Sequence, residues 1–170
     1  MTSMTTEVGE AFVGAGVDAA HINTVFGERD GPVGTAWATS LAMPRPGHIP
    51  FVCVLRPNLP VKPFTLFVNK APLAGPVHER VTWGAAQAGV ASGVLWAVDD
   101  GVISPDTVDS HLLIAAVWVD PGAADEETVY ENNRRATREA LEAGRHQRPD
   151  IQDLLAVRDA PWNPFFRAEA

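Results

Sequence analysis

Eight consecutive apolar residues, Leu112 to Val119, set the tightest constraint on what this chain can fold into. A strand with one wet face alternates apolar and polar side chains. An unbroken run of this kind, from His111 to Val119, instead reads as a strand covered on both sides. It is far too short to cross a bilayer, which takes roughly 20 apolar residues. Strand-like and helical patterns mix along the chain without a strict βαβ alternation, so the expectation is a mixed α/β domain, with a two-layer α/β sandwich favoured. The chain's 170 residues suffice for one domain with a real core and leave little room for a second.

Around that strand the pattern changes period several times. Residues 1–6 are small and polar and are expected to be loose. Glu7 to Gly14 and Ala20 to Gly27 read as two extended runs joined by the turn Gly14-Ala15-Gly16-Val17-Asp18. In the second run His21, Asn23 and Val25 alternate with Ile22, Thr24 and Phe26, which puts His21 and Asn23 on one face. Gly31-Pro32 opens a helix that Pro44 and Pro46 stop. Pro50 to Leu55 reads as a short buried strand, and Phe64 to Lys70 as another that Pro72 ends. From Gly75 to Gly101 the spacing is helical, with Ala86, Val90, Val94 and Val98 on one stripe; Gly89 and Gly93 suggest close packing of this helix on a sheet. Asp125-Glu126-Glu127 starts the last expected helix, with acids at its positive end. Beyond it, residues 145–170 show no long period but carry Trp162, Phe165 and Phe166, so this extension is expected to lie on the body of residues 1–144 or on a neighbouring subunit.

Charge and motif content exclude several classes. Thirteen basic against 21 acidic side chains give a formal charge of −8 without a Lys/Arg run, which argues against nucleic-acid or anionic-membrane partners. The start MTSMTTEVGE lacks the basic-then-apolar order of a secretory signal, and Cys53, the one cysteine, has no internal partner; a soluble cytoplasmic protein is expected. The five histidines are widely spread, without metal-ligand spacing, and no metal is expected. Gly14 to Ala19 fits a loose GxGxxA pattern, but an alternating strand follows where a dinucleotide site needs a helix, so the segment reads as a turn between strands. Cys53 stands in the apolar run FVCVL, where packing is its role.

Two residues remain as candidates for chemistry. Lys70 ends an apolar strand, so its ammonium must reach a partner or a pocket. His21 is a titratable ring inside an apolar strand, able to give or take a proton near neutral pH. Composition and spacing lead this far: an α/β domain with a His/Lys site.

The stretches GEAFVGAGVDAAHINTVFG, GPVGTAW, FVCVLRPNLPVKPFTLFVNK and WGAAQAGVA, in that order, together with the ending APWNPFFRAEA, resemble the formaldehyde-activating enzyme family from about Val8 to Ala143. The resemblance implies a fold like the ribosomal protein S5 domain 2, a homopentamer with pterin sites between subunits, and condensation of formaldehyde with tetrahydromethanopterin to the methylene derivative and water. It further implies that His21, in the segment matching the family's AHID, is the general acid. Asn23 stands where the family has an aspartate in contact with substrate, and Val52 where it has a pterin-contacting leucine. Lys70 matches the lysine that follows the family's LxPNLxxKP segment, Pro72 replaces a threonine, and Gln87 matches the glutamine of GPAQ.

The chemistry accounts for those types. An amine of the pterin adds to formaldehyde to give a carbinolamine, which loses water to an iminium before the second nitrogen closes the ring. The departing hydroxyl needs a proton, and an imidazolium is suited to deliver it. A carboxylate beside the ring would stabilise its charged form, whereas Asn23 supplies no negative charge; Pro72 has neither hydroxyl nor N–H. Lys70 and Gln87 would position the pterin's polar edge. The two changed positions leave an alternative reading open, a non-catalytic pterin-binding or formaldehyde-sensing paralogue, and a Schiff base on Lys70 is a third option.

Overall fold

The computed structural model describes residues 5–168; Met1 to Met4, part of the stretch expected to be loose, lie outside the described residues. Strands β1 (Glu7–Val13) and β2 (Ala20–Glu28) form an antiparallel hairpin through a single 3-10 turn at Gly16–Asp18, as the sequence implied. Helix α1 (Pro32–Ala42) begins with Pro32 in its first turn and ends at Met43, before Pro44. Next come β3 (Phe51–Val52), β4 (Val54–Arg56), β5 (Leu59–Pro60) and β6 (Phe64–Asn69). The expected single strand from Pro50 to Leu55 is therefore divided. Phe51 and Val52 pair with β6, while Val54 to Arg56 turn away into a small hairpin with β5 around Asn58, whose φ is 67°. Cys53, at the division, is fully buried.

Residues 76–99 are helical throughout: α2 (Pro76–Arg80), a π turn (Val81–Ala86) and α3 (Gln87–Asp99). Strand β7 (His111–Trp118) and helix α4 (Glu126–Arg145) follow. Asp125 caps α4 by accepting from the Thr128 N–H at 3.1 Å, with Glu126 and Glu127 in the first turn. It is not the last helix: α5 (Ile151–Val157) and a hairpin of β8 (Trp162–Asn163) and β9 (Phe166–Arg167) come after it, outer residues with largely exposed apolar side chains.

The main sheet has the order β1-β2-β7-β6-β3, antiparallel except between β6 and β7. One face carries Gly9, Ala11, Ile22 and Thr24 under α4. A Cβ on Gly9 would lie 1.8 Å from the Ala140 carbonyl oxygen, so only glycine allows β1 this close to α4. Helix α3 packs beside α4, and Val90, Val94, Phe67, Leu113 and Val117 are among the residues of the shared core. Gly89 and Gly93 face Tyr130 and Arg134 of α4, so their close packing is against a helix and not, as expected, against the sheet.

The other face is covered only in part. Helix α1 lies against β2 and β7, with Val33 set over Gly27. Along β7 the residues of this face pass from buried Leu112 to half-buried Ile114, Ala116 and Trp118. The apolar run is thus covered on both sides at its beginning only. Its end opens onto solvent, and that opening is where the polar side chains of β2 gather.

Candidate functional site

Period two on β2 sends His21 and Asn23 to the open face, with Ile22 and Thr24 beneath them in the core. The antiparallel register sets His21 opposite Phe12 on one side and Trp118 on the other, and Asn23 opposite Glu10 and Ala116. Lys70 follows β6, and its backbone N–H donates to the Val117 carbonyl at 2.8 Å, extending the parallel pairing by one residue. Its side chain reaches across β7 to β2. The ammonium donates to Asn23 Oδ1 at 2.5 Å and stands 3.3 Å from His21 Nδ1. The apolar neighbours of Lys70 required such a partner, and these are its partners. Burial lowers the Lys70 pKa from its ordinary value, and the Glu10 charge acts against that shift.

Glu10 completes the cluster: its Oε1 lies 2.8 Å from His21 Nε2. Sequence reasoning missed it. The signal was available in the alternation of Val8, Glu10 and Phe12 against buried Gly9, Ala11 and Val13, but using it required the hairpin register. One aromatic ring borders the imidazole, and a second side chain, Trp118, is its strand partner. Phe12 is 6.1 Å away between centroids, and Trp118 is met edge-on by Phe165 from the C-terminal hairpin at 6.5 Å.

The remaining candidates lie elsewhere. Val52, Leu66, Ile114 and Val25 form one row across the sheet, so Val52 shares the face of His21 but stands three strands from it. At the usual strand spacing that is about 14 Å across the sheet, and because the row meets β2 at Val25, four residues from His21, about 13 Å more along the strand direction. Gln87 also sits at the β3 edge, just after the π turn, an irregularity often found at functional sites. Its Oε1 accepts the Val54 N–H at 2.5 Å, which leaves the amide's two N–H bonds for other partners. Ile49, Phe51, Val54, Trp83 and Gln87 line a largely apolar pocket there of about 400 Å³. Pro72 is exposed beyond Lys70 and packs against Gly47, whose turn is held by Asn69 donating to the Gly47 carbonyl at 2.8 Å. The chain thus brings His21, Asn23 and Lys70 together, and leaves Val52 and Gln87 toward the opposite edge of the sheet, Val52 on the face of His21 and Gln87 beside Phe51, whose side chain is on the other face.

Two other groups are accounted for by structure. His78 is buried: Nδ1 accepts the Ala74 N–H at 3.0 Å and Nε2 lies 2.9 Å from the Val119 carbonyl, so both nitrogens are occupied. Burial pushes the Cys53 thiol up to about 12, which suits packing and not nucleophilic chemistry.

Comparison with known proteins bears on this arrangement. The family described as "Formaldehyde-activating enzyme (Fae)" matches residues 8–166. The "5,6,7,8-tetrahydromethanopterin hydro-lyase" of Methanosarcina barkeri is 41% identical over 158 residues, 93% of this chain and 89% of that relative. The "Bifunctional enzyme Fae/Hps" of Methanosphaera stadtmanae is 37% identical over 164 residues, and that of Archaeoglobus fulgidus 35% over 158. This chain spans 40% of the length of each of those two bifunctional proteins.

Proposed function

This chain belongs to the formaldehyde-activating enzyme family, and from that premise we propose that it is a hydro-lyase-type enzyme condensing formaldehyde with tetrahydromethanopterin, or a related tetrahydropterin, to the methylene derivative with loss of water. The single observation that carries the site assignment is the contact of Lys70 with both His21 and Asn23 on the open face.

In this reading a pterin nitrogen attacks formaldehyde, and a proton passes from that nitrogen to the former carbonyl oxygen to give the carbinolamine. His21, as the general acid, protonates the hydroxyl, water leaves, and the second pterin nitrogen closes on the iminium and gives up its proton. Lys70 and Asn23 hold the polar edge of the substrate beside the imidazole. Asn23 serves as a hydrogen-bonding residue in place of a carboxylate. Val52, Gln87 and the pocket at the β3 edge bind the pterin ring system, and Pro72 contributes shape alone.

Because the two loci lie about 14 Å apart across the sheet and about 13 Å apart along it, the reading is simplest for a homopentamer with pterin sites between subunits, one subunit supplying the β2 locus and its neighbour the β3 edge. Residues 145–170 then serve as an arm on the neighbouring subunit. We further read the five-stranded sheet with its helices as a fold like the ribosomal protein S5 domain 2, and the reaction as cytoplasmic.

Stopped-flow measurement of the methylene adduct tests this function. The expected result is formation well above the spontaneous rate, abolished to near that rate in His21→Ala. No acceleration with any tetrahydropterin would overturn it.

A further inference from the structure

Resting on the function proposed above, we infer that Glu10 is a positioning residue for His21: it fixes which ring nitrogen exchanges the catalytic proton, and it supplies the negative charge that Asn23 withholds. Glu10 pairs across the hairpin with Asn23, and His21 pairs with Phe12, so Glu10 and His21 are diagonal neighbours on one face of an antiparallel pair. Their side chains meet at 2.8 Å, Glu10 Oε1 to His21 Nε2.

The donor and acceptor inventory then fixes the ring. A carboxylate only accepts, so Nε2 carries a hydrogen. An ammonium only donates, so Nδ1, 3.3 Å from Lys70 Nζ, presents its lone pair. The resting neutral imidazole is the Nε2–H tautomer, set from both sides. The acid is the imidazolium formed when Nδ1 takes up a proton from solvent. That Nδ1 proton is the one delivered to the departing hydroxyl, and the proton given up by the second pterin nitrogen recharges the ring. Phe12 borders the ring on the hairpin side and limits its rotation.

The charges facing the ring come from two elements. Lys70, at the end of β6, disfavours an imidazolium, while Glu10, on β1, favours one. Asn23 on β2 and Trp118 on β7 are uncharged. An aspartate at position 23 would neutralise the Lys70 ammonium directly. With asparagine there, Glu10 is the carboxylate in contact with the ring, and the charged acid depends on it.

Glu10→Gln keeps size and an acceptor oxygen but removes the charge; Glu10→Asp keeps the charge. The expected result is a loss in kcat of about ten- to hundredfold in E10Q near neutral pH, with KM little changed. E10D retains much of the activity, and Asn23→Asp in the E10Q background restores a large part of it. A purely structural role for Glu10 would not produce that rescue. An E10Q enzyme with the wild-type rate overturns the inference. Ring-nitrogen NMR of 15N-histidine-labelled protein decides independently of turnover: His21 should be the Nε2–H tautomer in the wild type and a mixture in Glu10→Ala, and equal populations in both overturn the inference. If the wild type accelerates no tetrahydropterin reaction, the function proposed above fails, while that spectrum still decides the role of Glu10.

Discussion

Gly93 of α3 lies against the main-chain carbonyl of Arg134 on α4 so closely that an added Cβ would stand 2.5 Å from the oxygen and 2.8 Å from the Thr137 Cβ. Gly89 repeats this one turn earlier against Tyr130. In an isolated helix Gly93→Ala would stabilise by about 1 kcal/mol. Here the atom in the way is backbone, so the helices must separate and lose core contacts. The expected net effect is a destabilisation of about 1–3 kcal/mol, read as a lower urea midpoint. A G93A protein as stable as wild type would mean that α3 and α4 do not approach this closely.

How far the sequence reveals this molecule follows from the range of each interaction. Local periodicity identified β1, β2, α1, β6, β7 and α4 and put His21 and Asn23 on one face, because side-chain alternation depends only on neighbours in sequence. The apolar flanks of Lys70 signalled that its ammonium needs a partner. They did not identify Asn23 and His21 as the partners, because those lie across β7. Glu10 was invisible for the same reason, since its meeting with His21 depends on the hairpin register. Gly89 and Gly93 announced close packing without saying against what. The break at Cys53 was concealed because both halves of FVCVL are apolar, although one joins the main sheet and the other a side hairpin. The tail was unreadable by period because α5 is only two turns long.

Alkaline stability should reflect two groups of opposite sign, one buried and one half-buried. Burial pushes the Cys53 thiol up to about 12, whereas the unfolded chain loses that proton near its ordinary value. From the unfolded value upward the unfolded state is the one that releases a proton, so stability falls as pH rises. Lys70 works the other way. Its pKa is lowered by burial, so between its folded and ordinary values the unfolded state binds the extra proton and stability rises with pH. Cys53→Ala should flatten the alkaline loss, and Lys70→Met should steepen it. Urea midpoints collected across the alkaline range check both, and wild-type and C53A curves that run parallel would refute the burial argument for the thiol.

Gln87 has two ends that substitutions can separate. Its oxygen accepts the Val54 N–H at 2.5 Å and ties β4 to α3. Gln87→Leu removes the acceptor and should cost about 1–3 kcal/mol by leaving that N–H unpaired. Gln87→Glu keeps an acceptor oxygen and loses the amide N–H bonds. Thermal melts should therefore show Q87E close to wild type and Q87L lower, while calorimetric titration with a tetrahydropterin should show weaker binding in both. Unchanged affinity in Q87E would remove the amide from the pterin site.

The C-terminal segment presents apolar surface that a lone chain leaves in water. Ile151, Leu154 and Leu155 occupy one face of α5 at 62%, 50% and 51% exposure, and Phe165 of the following hairpin is 83% exposed. Helix α5 is well defined locally, because Asp150 and Asp153 form a capping box at its start. Among the described residues this stripe meets no partner surface, and burying it gains about 25 cal/mol for each Å² removed from water. In the proposed pentamer the neighbouring subunit provides that surface. Leu155→Asp should then shift the mass-photometry distribution from pentamer to smaller species, with far-UV circular dichroism unchanged, because the helix itself is solvent-tolerant. Phe165 meets Trp118, the strand partner of His21, so loss of assembly should also lower turnover. An L155D protein that stays fully assembled would place α5 outside the subunit contact and remove the arm from the proposed architecture.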